Sequence, residues 1–323
     1  MIVKSAAKLN LTLDILGLLP GGYHAIETVF QNIDILDTLE FFFEQENTQD
    51  EICVEIELSN SASADAMTFP LHADNLITKA AKAFACKSGL GKGLHMRVSV
   101  HKTIPIAAGL AGGSGNAAAT LVALNEHFKK PLTIDELSEI AATLGSDISF
   151  FLYGGTCAGR GRGEILESID HSLALSFFIV KPRDIAISTP WIYREYDSFV
   201  ASQYVTKGES NLPACESALR NGDEQQLIKS LSNAFEPVVY KAYPEVKALR
   251  DGMLELGCLS ANISGSGPTL YGLARSPAEA VDIETAFTQW HTEHKELSRV
   301  KVDTWTAKSI NFGTSIISIT SPN

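Results

Sequence analysis

The sequence predicts an α+β protein in two units. Stretches of period-two apolar alternation are mixed with stretches of helical period, without the regular strand–helix–strand rhythm of a parallel sheet. The chain has 323 residues, a length at which two domains or one large one are expected. Hydrophobic residues make up 45% and charged residues 20%, the balance of a globular protein with a sizeable core. A division near residue 160 separates two runs of elements that repeat in type but not in sequence.

The elements follow in order. VKSAAKLNLTLDILG alternates from Lys8 to Leu13 and reads as a strand. LPGGYHAIETVFQNID reads as a tight turn at Pro20, Gly21 and Gly22 followed by another strand. Ile33 to Phe43 and Ile52 to Leu58 read as further strands, with NTQDE and NSASADA as polar loops. Leu76 to Cys86 is a predicted helix, and LHMRVSVHKTIP alternates again as a strand. A glycine-rich loop follows, with Ser114 as the expected N-cap of the helix behind it. TIDELSEIAATLG is a helix opened by a capping box, Thr133 with Glu136 three residues on. Beyond these, Ala174 to Val180 is an apolar strand, while Ser217 to Leu219, Glu224 to Phe235 and Pro244 to Leu256 are helical. SANISGSGPTLYGLA reads as strand, glycine turn and strand, Ala278 to Trp290 as a helix, and Lys301 to Ala307 as a closing strand.

Charge and cysteine usage exclude several classes of function. A net charge of −12 argues against a nucleic-acid partner and against an anionic membrane surface. Cys53, Cys86, Cys157, Cys215 and Cys258 are odd in number, scattered and without C-x-x-C spacing. That usage predicts reduced thiols in a cytoplasmic protein, with no disulfide framework and no zinc site. MIVKSAAKLNLTL has no signal-peptide apolar core, and no apolar stretch is long enough to span a bilayer.

Three glycine-rich stretches carry reactive side chains. In PIAAGLAGGSG (105–115) small residues crowd the mouth of a helix, where unpaired N–H groups and the dipole favour an anion, above all phosphate. The other reading is a loop made small by core packing. In LGSDISFFLYGGTCAGRGRGE (144–164), Asp147 follows Gly145 at a helix end and is either a turn former or a catalytic carboxylate. SGSGPTLYG (264–272) is either a hairpin turn or a place where backbone passes close to another group. Lys8 is either a strand-end charge that snorkels to solvent or the partner of an active-site carboxylate. His291 and His294, on a polar helix without a further ligand nearby, read as solvated surface.

In this order the three stretches resemble the GHMP kinase superfamily. AAKLNLTLDILG, GGYHAIETVFQ, ADNLITKAA, PIAAGLAGGSGNAAATLVALN, LGSDISFFLYGG and GRGRGE are similar to its branch of 4-diphosphocytidyl-2-C-methyl-D-erythritol kinases. The likeness is dense over 5–165, resumes at 262–274 and is thin across 195–250. It implies a two-domain GHMP kinase fold with the active site in the interdomain cleft. The nucleotide-binding unit would span 1–165 and the C-terminal unit 166–323.

The resemblance implies ATP-dependent phosphorylation of the 2-hydroxyl of the cytidyl diphosphate substrate, with Mg²⁺ accompanying ATP. Another GHMP small-molecule kinase, of homoserine or mevalonate type, stands as an alternative. So does a non-catalytic nucleotide-binding regulator of the same fold. Asp147 would be the catalytic base and Lys8 its partner, and Asn10 would hold substrate hydroxyls. Tyr23 and His24 would meet the cytosine, Tyr193 would cover its other face, and Phe30 would line the same pocket. Pro105, Ile106, Ala107, Ala108, Gly109, Leu110, Ala111, Gly112, Gly113, Ser114 and Gly115 would wrap the ATP phosphates. Asn75 and Lys102 would lie toward the adenine. The expected partner is this small molecule alone, bound by a monomer or weak homodimer. The loop departs from the family where a second serine is usual: Gly115 stands there, so Ser114 would serve alone or water would fill in, and if Ser114 alone supplies the hydroxyl, Gly115→Ser should be tolerated or slightly helpful. Ala108 and Ala111 replace frequent glycines, and Ser149 replaces a common proline.

Overall fold

The computed structural model describes residues 1–46, 48, 50–59, 69–71, 73–203 and 210–319. NSASADA therefore lies outside the described residues, as do Asn47 and Gln49 of NTQDE. Two sheets organise the rest. Among the described residues the larger holds eight strands: β1 (Ile2–Leu18), β2 (His24–Gln45), β3 (Cys53–Leu58), β4 (Leu94–His101), β5 (Thr156–Arg160), β6 (Ile165–Ser168), the two-residue β8 (Ser232–Asn233) and β12 (Thr314–Ser318). Its main path runs β12–β1–β2–β4–β3, with β5 and β6 extending from the early part of β2 and β8 beside β1. The smaller sheet has the order β11 (Val302–Lys308), β7 (Ser176–Pro182), β10 (Leu270–Ala274), β9 (Ser260–Ile263) and is antiparallel throughout.

The helices are α1 (Leu76–Ser88), α2 (Gly112–His127), α3 (Ile134–Leu144), α4 (Ile148–Tyr153), α5 (Thr189–Gln203), α6 (Leu212–Asn221), α7 (Glu224–Ser230), α8 (Glu236–Ala242), α9 (Pro244–Glu255) and α10 (Pro277–Glu293). The first four pack an apolar core against the larger sheet, with Phe84 of α1, Leu121 of α2, Ile140 of α3 and Phe151 of α4 inside it. The capping box at Thr133 and Glu136 is present in full. Helices α8, α9 and α10 cover the smaller sheet through Val239, Leu249 and Phe287. No helix among the described residues is long and apolar enough to cross a membrane.

Three expectations for the second half need correction. Glu224 to Phe235 is not one helix: α7 ends at Ser230, and Ser232 and Asn233 pair in parallel with Thr12 and Leu13 of β1. Helix α5 and strand β12 were not expected, because their local patterns are mixed and only the partners they meet define them. His291 and His294 are not simply solvated. His294 is exposed but its ring lies 4.2 Å from that of Trp290, and half-buried His291 stacks on Phe287.

Strand β1 runs between the two units. Its alternation sends Ala7, Leu9 and Leu11 into a core shared with Phe177 and Ile179 of β7 and Tyr271 of β10. The opposite set, Lys8 and Asn10, therefore shares one face of the strand. This strand sets the site.

Candidate active site

Lys8 is 3% exposed, which removes the reading of a snorkelling strand-end charge. Its ammonium donates to Asn10 Oδ1 at 2.5 Å and lies 3.5 Å from Asp147 Oδ2. Asn10 is oriented in turn: its Nδ2 donates to Thr28 Oγ1 at 2.8 Å, and that hydroxyl donates to the Thr12 carbonyl. The Phe30 ring closes the lower side, 5.6 Å from the Lys8 nitrogen.

Asp147 stands at the N-cap position of α4, yet its side chain makes no capping hydrogen bond. The turn-former reading therefore does not account for its carboxylate, which is 32% exposed. Its side chain and that of Lys8 line a cavity of about 1040 Å³. That is the upper end of the usual size for a ligand site, on the order of 300–1,000 Å³.

The glycine-rich loop forms the facing wall. Lys8 N–H donates to the Leu110 carbonyl at 3.1 Å, and Ser264 Oγ donates to the Gly109 carbonyl at 3.1 Å. A Cβ at Gly109 would run into the Ser264 carbonyl oxygen, so this glycine and the SGSG turn are small because their backbones touch. The turn is held from below by Asn233, whose Nδ2 donates to the carbonyls of Ile263 and Gly265. Gly265 in turn lies against the working side chains, a Cβ there meeting Lys8 Nζ at 3.3 Å and Asn10 Oδ1 at 3.4 Å. All three glycine stretches thus meet around Lys8.

Nearly every expected site residue lines this one cavity. Lys8, Asn10, Tyr23, His24, Phe30, Asn75, Lys102, Asp147 and Tyr193 do, as do Pro105, Ile106, Ala107, Ala108, Gly109, Ala111, Gly112, Gly113 and Ser114. Leu110 and Gly115 do not. Leu110 is fully buried in the core shared with the smaller sheet and contributes only its carbonyl. Gly115 faces β1, where a Cβ would collide with Ser5 Oγ and stand 3.1 Å from the Ala6 carbonyl oxygen. The expectation that Gly115→Ser would be tolerated is therefore reversed: helix and strand approach too closely. The N-cap also moves. Ala111, in the left-handed region at φ 54°, precedes the helix, and Ser114 sits inside its first turn.

Asn75 caps α1, accepting from Ile77 N–H at 2.9 Å and donating to the Pro70 carbonyl. Lys102 is 2% exposed and ion-paired with Asp37. Its nitrogen lies at the mouth of α2, 2.7 Å from where a Cβ on Gly112 would stand. Burial pushes its pKa below the usual lysine range, against the opposing pull of the Asp37 carboxylate.

The far end of the cavity is aromatic. His24 stacks on Tyr193 with centroids 4.5 Å apart, and its Nε2 is 2.8 Å from Asp197 Oδ1. Burial, with the Asp147 charge as a lesser cause, pushes the Tyr193 hydroxyl up to about 12, so it stays protonated. Tyr23 is 58% exposed and carries the Arg162 guanidinium 5.1 Å from its ring centroid. Arg162, Arg194 and Asp197 were missed as site residues. GRGRGE, the stretch that holds Arg162, offered a signal in its paired arginines; the other two sit where the local pattern is featureless.

The comparisons with known proteins agree with this geometry. GHMP kinases N terminal domain matches residues 75–155, and GHMP kinases C terminal matches residues 215–291. A 4-diphosphocytidyl-2-C-methyl-D-erythritol kinase of Pelotomaculum thermopropionicum is 38% identical over 280 residues, covering 87% of this chain and 89% of that one. The enzyme of the same name from Bacillus pumilus is 39% identical over 273 residues, covering 84% of this chain and 88% of its own. A crystal structure of 4-(cytidine 5'-diphospho)-2C-methyl-D-erythritol kinase superposes with a TM-score of 0.73 at 26% identity, over 96% of this chain and 99% of that one. A homoserine kinase from Cytophaga hutchinsonii gives 0.74 at 16% identity, over 98% of this chain and 97% of its own, a likeness of fold alone. With β1 packing its apolar face against the smaller sheet and a cavity walled by the superfamily's three glycine stretches, the chain belongs to the 4-diphosphocytidyl-2-C-methyl-D-erythritol kinase family of the two-domain GHMP kinases.

Proposed function

We propose that this protein transfers the γ-phosphoryl group of ATP to the 2-hydroxyl of 4-diphosphocytidyl-2-C-methyl-D-erythritol, a step of the non-mevalonate isoprenoid pathway. One observation carries the reading most directly: a buried ammonium stands 3.5 Å from a carboxylate that makes no cap, in a cavity shared with a helix N-terminus. A pure nucleotide sensor needs no such pair.

An alcohol is a poor nucleophile at neutral pH, so a carboxylate within hydrogen-bond reach takes its proton as the new bond forms. Asp147 is that base. The hydroxyl oxygen bonds to the γ-phosphorus, the bond to the β-phosphate oxygen breaks, and the proton passes to Asp147 as ADP leaves. Lys8, paired with that carboxylate, stabilises the attacking oxygen, while Asn10 steers the substrate hydroxyls. The first amides of α2 and the loop backbone from Pro105 to Ser114 stabilise the charge that builds on the phosphates.

Mg²⁺ typically keeps one or two protein oxygens alongside substrate phosphates and water, and demands no all-protein cage. Ser114, in the first turn of α2 and lining the cavity, offers such an oxygen, and Asp147 a second. They fit the ion, which when bound would supply positive charge against the phosphates. At the aromatic end, Tyr23, His24 and Tyr193 meet the cytosine and Phe30 lines the pocket. We assign Lys102, at the mouth of α2, to the phosphates in place of the adenine, and leave Asn75 on the adenine side.

ATP consumption with a panel of the cytidyl diphosphate substrate, mevalonate, homoserine and galactose tests the reading. Turnover confined to the first is the expected result; turnover with one of the others alone keeps the fold and sinks the substrate.

A further inference from the structure

Asp37 lies on β2 and is fully buried, and none of the chemistry above uses it. Its two oxygens do different work. Oδ1 accepts the N–H groups of Thr103 and Ile104, both at 2.8 Å. These residues connect the end of β4 to the glycine-rich loop at Pro105. Oδ2 accepts from the Lys102 ammonium.

That ammonium is an expensive group to bury, and it sits at the positive end of α2, where a cation is disfavoured. The interlock is tight: a Cβ on Gly112 would meet Lys102 Nζ at 2.7 Å and Ile104 Cγ2 at 2.9 Å. A cation held against helix amides is costly in itself and useful where an anion joins it. An ammonium carries three donors, so serving a carboxylate and a phosphate together is within its capacity.

We infer that Asp37 is a positioning residue for the phosphate donor, fixing the start of the loop with one oxygen and holding Lys102 at the mouth of α2 with the other. The inference rests on the reading of that loop as the nucleotide's phosphate site. Asp37 touches neither substrate. It acts through Lys102 and through the backbone of residues 103–104, so its removal should be felt by the nucleotide and not by the alcohol substrate.

The test is calorimetric titration of wild type, Asp37→Asn, Lys102→Met and the double variant. Each receives a non-hydrolysable ATP analogue with Mg²⁺ and, separately, the cytidyl diphosphate substrate. Asparagine still accepts from the two backbone N–H groups but loses the charge facing Lys102. Each single substitution should weaken the analogue by about tenfold, the usual worth of a charge-assisted hydrogen bond. The double variant should be no more than about twofold worse than Lys102→Met, because the two residues act as a unit. Affinity for the cytidyl substrate should stay within about twofold of wild type. Equal weakening of both ligands, fully additive losses, or a lowered melting temperature with unchanged analogue affinity would each overturn the proposal. Should Asp37→Asn fail to fold, Lys102→Met alone decides, since unchanged analogue affinity there removes the group through which Asp37 acts. A wild-type protein that does not bind the analogue would instead overturn the kinase reading.

Discussion

Lys8 is kept buried beside Asp147, and a buried cation is retained only where partners compensate it. Asn10 supplies one partner and Asp147 the other. Asp147→Asn keeps size and most hydrogen-bonding capacity but removes the basic oxygen. It should lower kcat by about 10²–10⁴-fold with little change in either KM, the usual worth of general-base catalysis. Lys8→Met should show the same pattern, with a double variant little worse than either single. Steady-state rates and melting temperatures on the same preparations check this, because an Asp147 that served only its turn would lose stability and keep its rate. At the other end, base stacking on an aromatic ring is worth roughly 1–3 kcal/mol. Tyr23→Ala should therefore weaken the cytidyl substrate and leave ATP binding nearly unchanged; equal loss of both in calorimetric titrations would remove Tyr23 from the cytosine site.

Helix α2 is built to bring bare backbone to the cavity. Gly112 and Gly113 open it, and Ala117, Ala118 and Ala119 keep it thin enough to be buried. The arrangement carries local strain where the helix begins. Ala111 holds φ 54°, a conformation that costs a residue with a Cβ on the order of 1–2 kcal/mol. Ala111→Gly should therefore raise stability by about 0.5–1 kcal/mol, after the added freedom of the unfolded chain is discounted. Gly115→Ser should do the reverse, lowering stability by about 1–3 kcal/mol, because α2 meets Ser5 and Ala6 of β1 there with no room for a side chain. Denaturant unfolding of the two variants beside wild type measures both signs; a neutral Gly115→Ser would show that helix and strand can part without loss.

Across the whole molecule, two histidines, exposed His127 and half-buried His171, tie stability to pH. Burial lowers the pKa of His127, which stacks on Phe43 at 4.2 Å, and that of His171, despite opposing help from the Leu173 backbone and Asp170. Both folded values lie below the ordinary 6.5, so the unfolded chain takes up protons first as pH falls. Their contribution is thus present above about pH 6.5 and is lost as pH drops through the lower folded values. Melting temperature should fall between about pH 7 and 5 by more in wild type than in a His127→Gln, His171→Gln variant. Parallel curves for the two proteins would refute the linkage. The eight-stranded sheet shows the same interdependence on a larger scale, since β8 and β12 reach β1 from the second half of the chain.

Much of the site was legible in the residues themselves. Alternation around Lys8 and Asn10 put both on one strand face, the small residues before α2 marked a helix mouth open to an anion, and the capping box at Thr133 is formed by neighbours in sequence. These are local matters, decided by period, φ preference and residues a few positions apart. What needed the tertiary structure involves distant partners. Gly115 looked like a vacant serine position and is instead the contact of α2 with β1. Lys102 read as a cation near the nucleotide, and Asp37, 65 positions away, pairs with it at the mouth of α2. Strands β8 and β12 exist because β1 offers them an edge, and Asn233 matters because the turn at Gly265 lies above it. A short polar segment carries no mark of the strand it will join, and a glycine carries no mark of which atom its missing side chain would strike. Period and propensity act within one element, while close approach and charge pairing arise only once the elements pack.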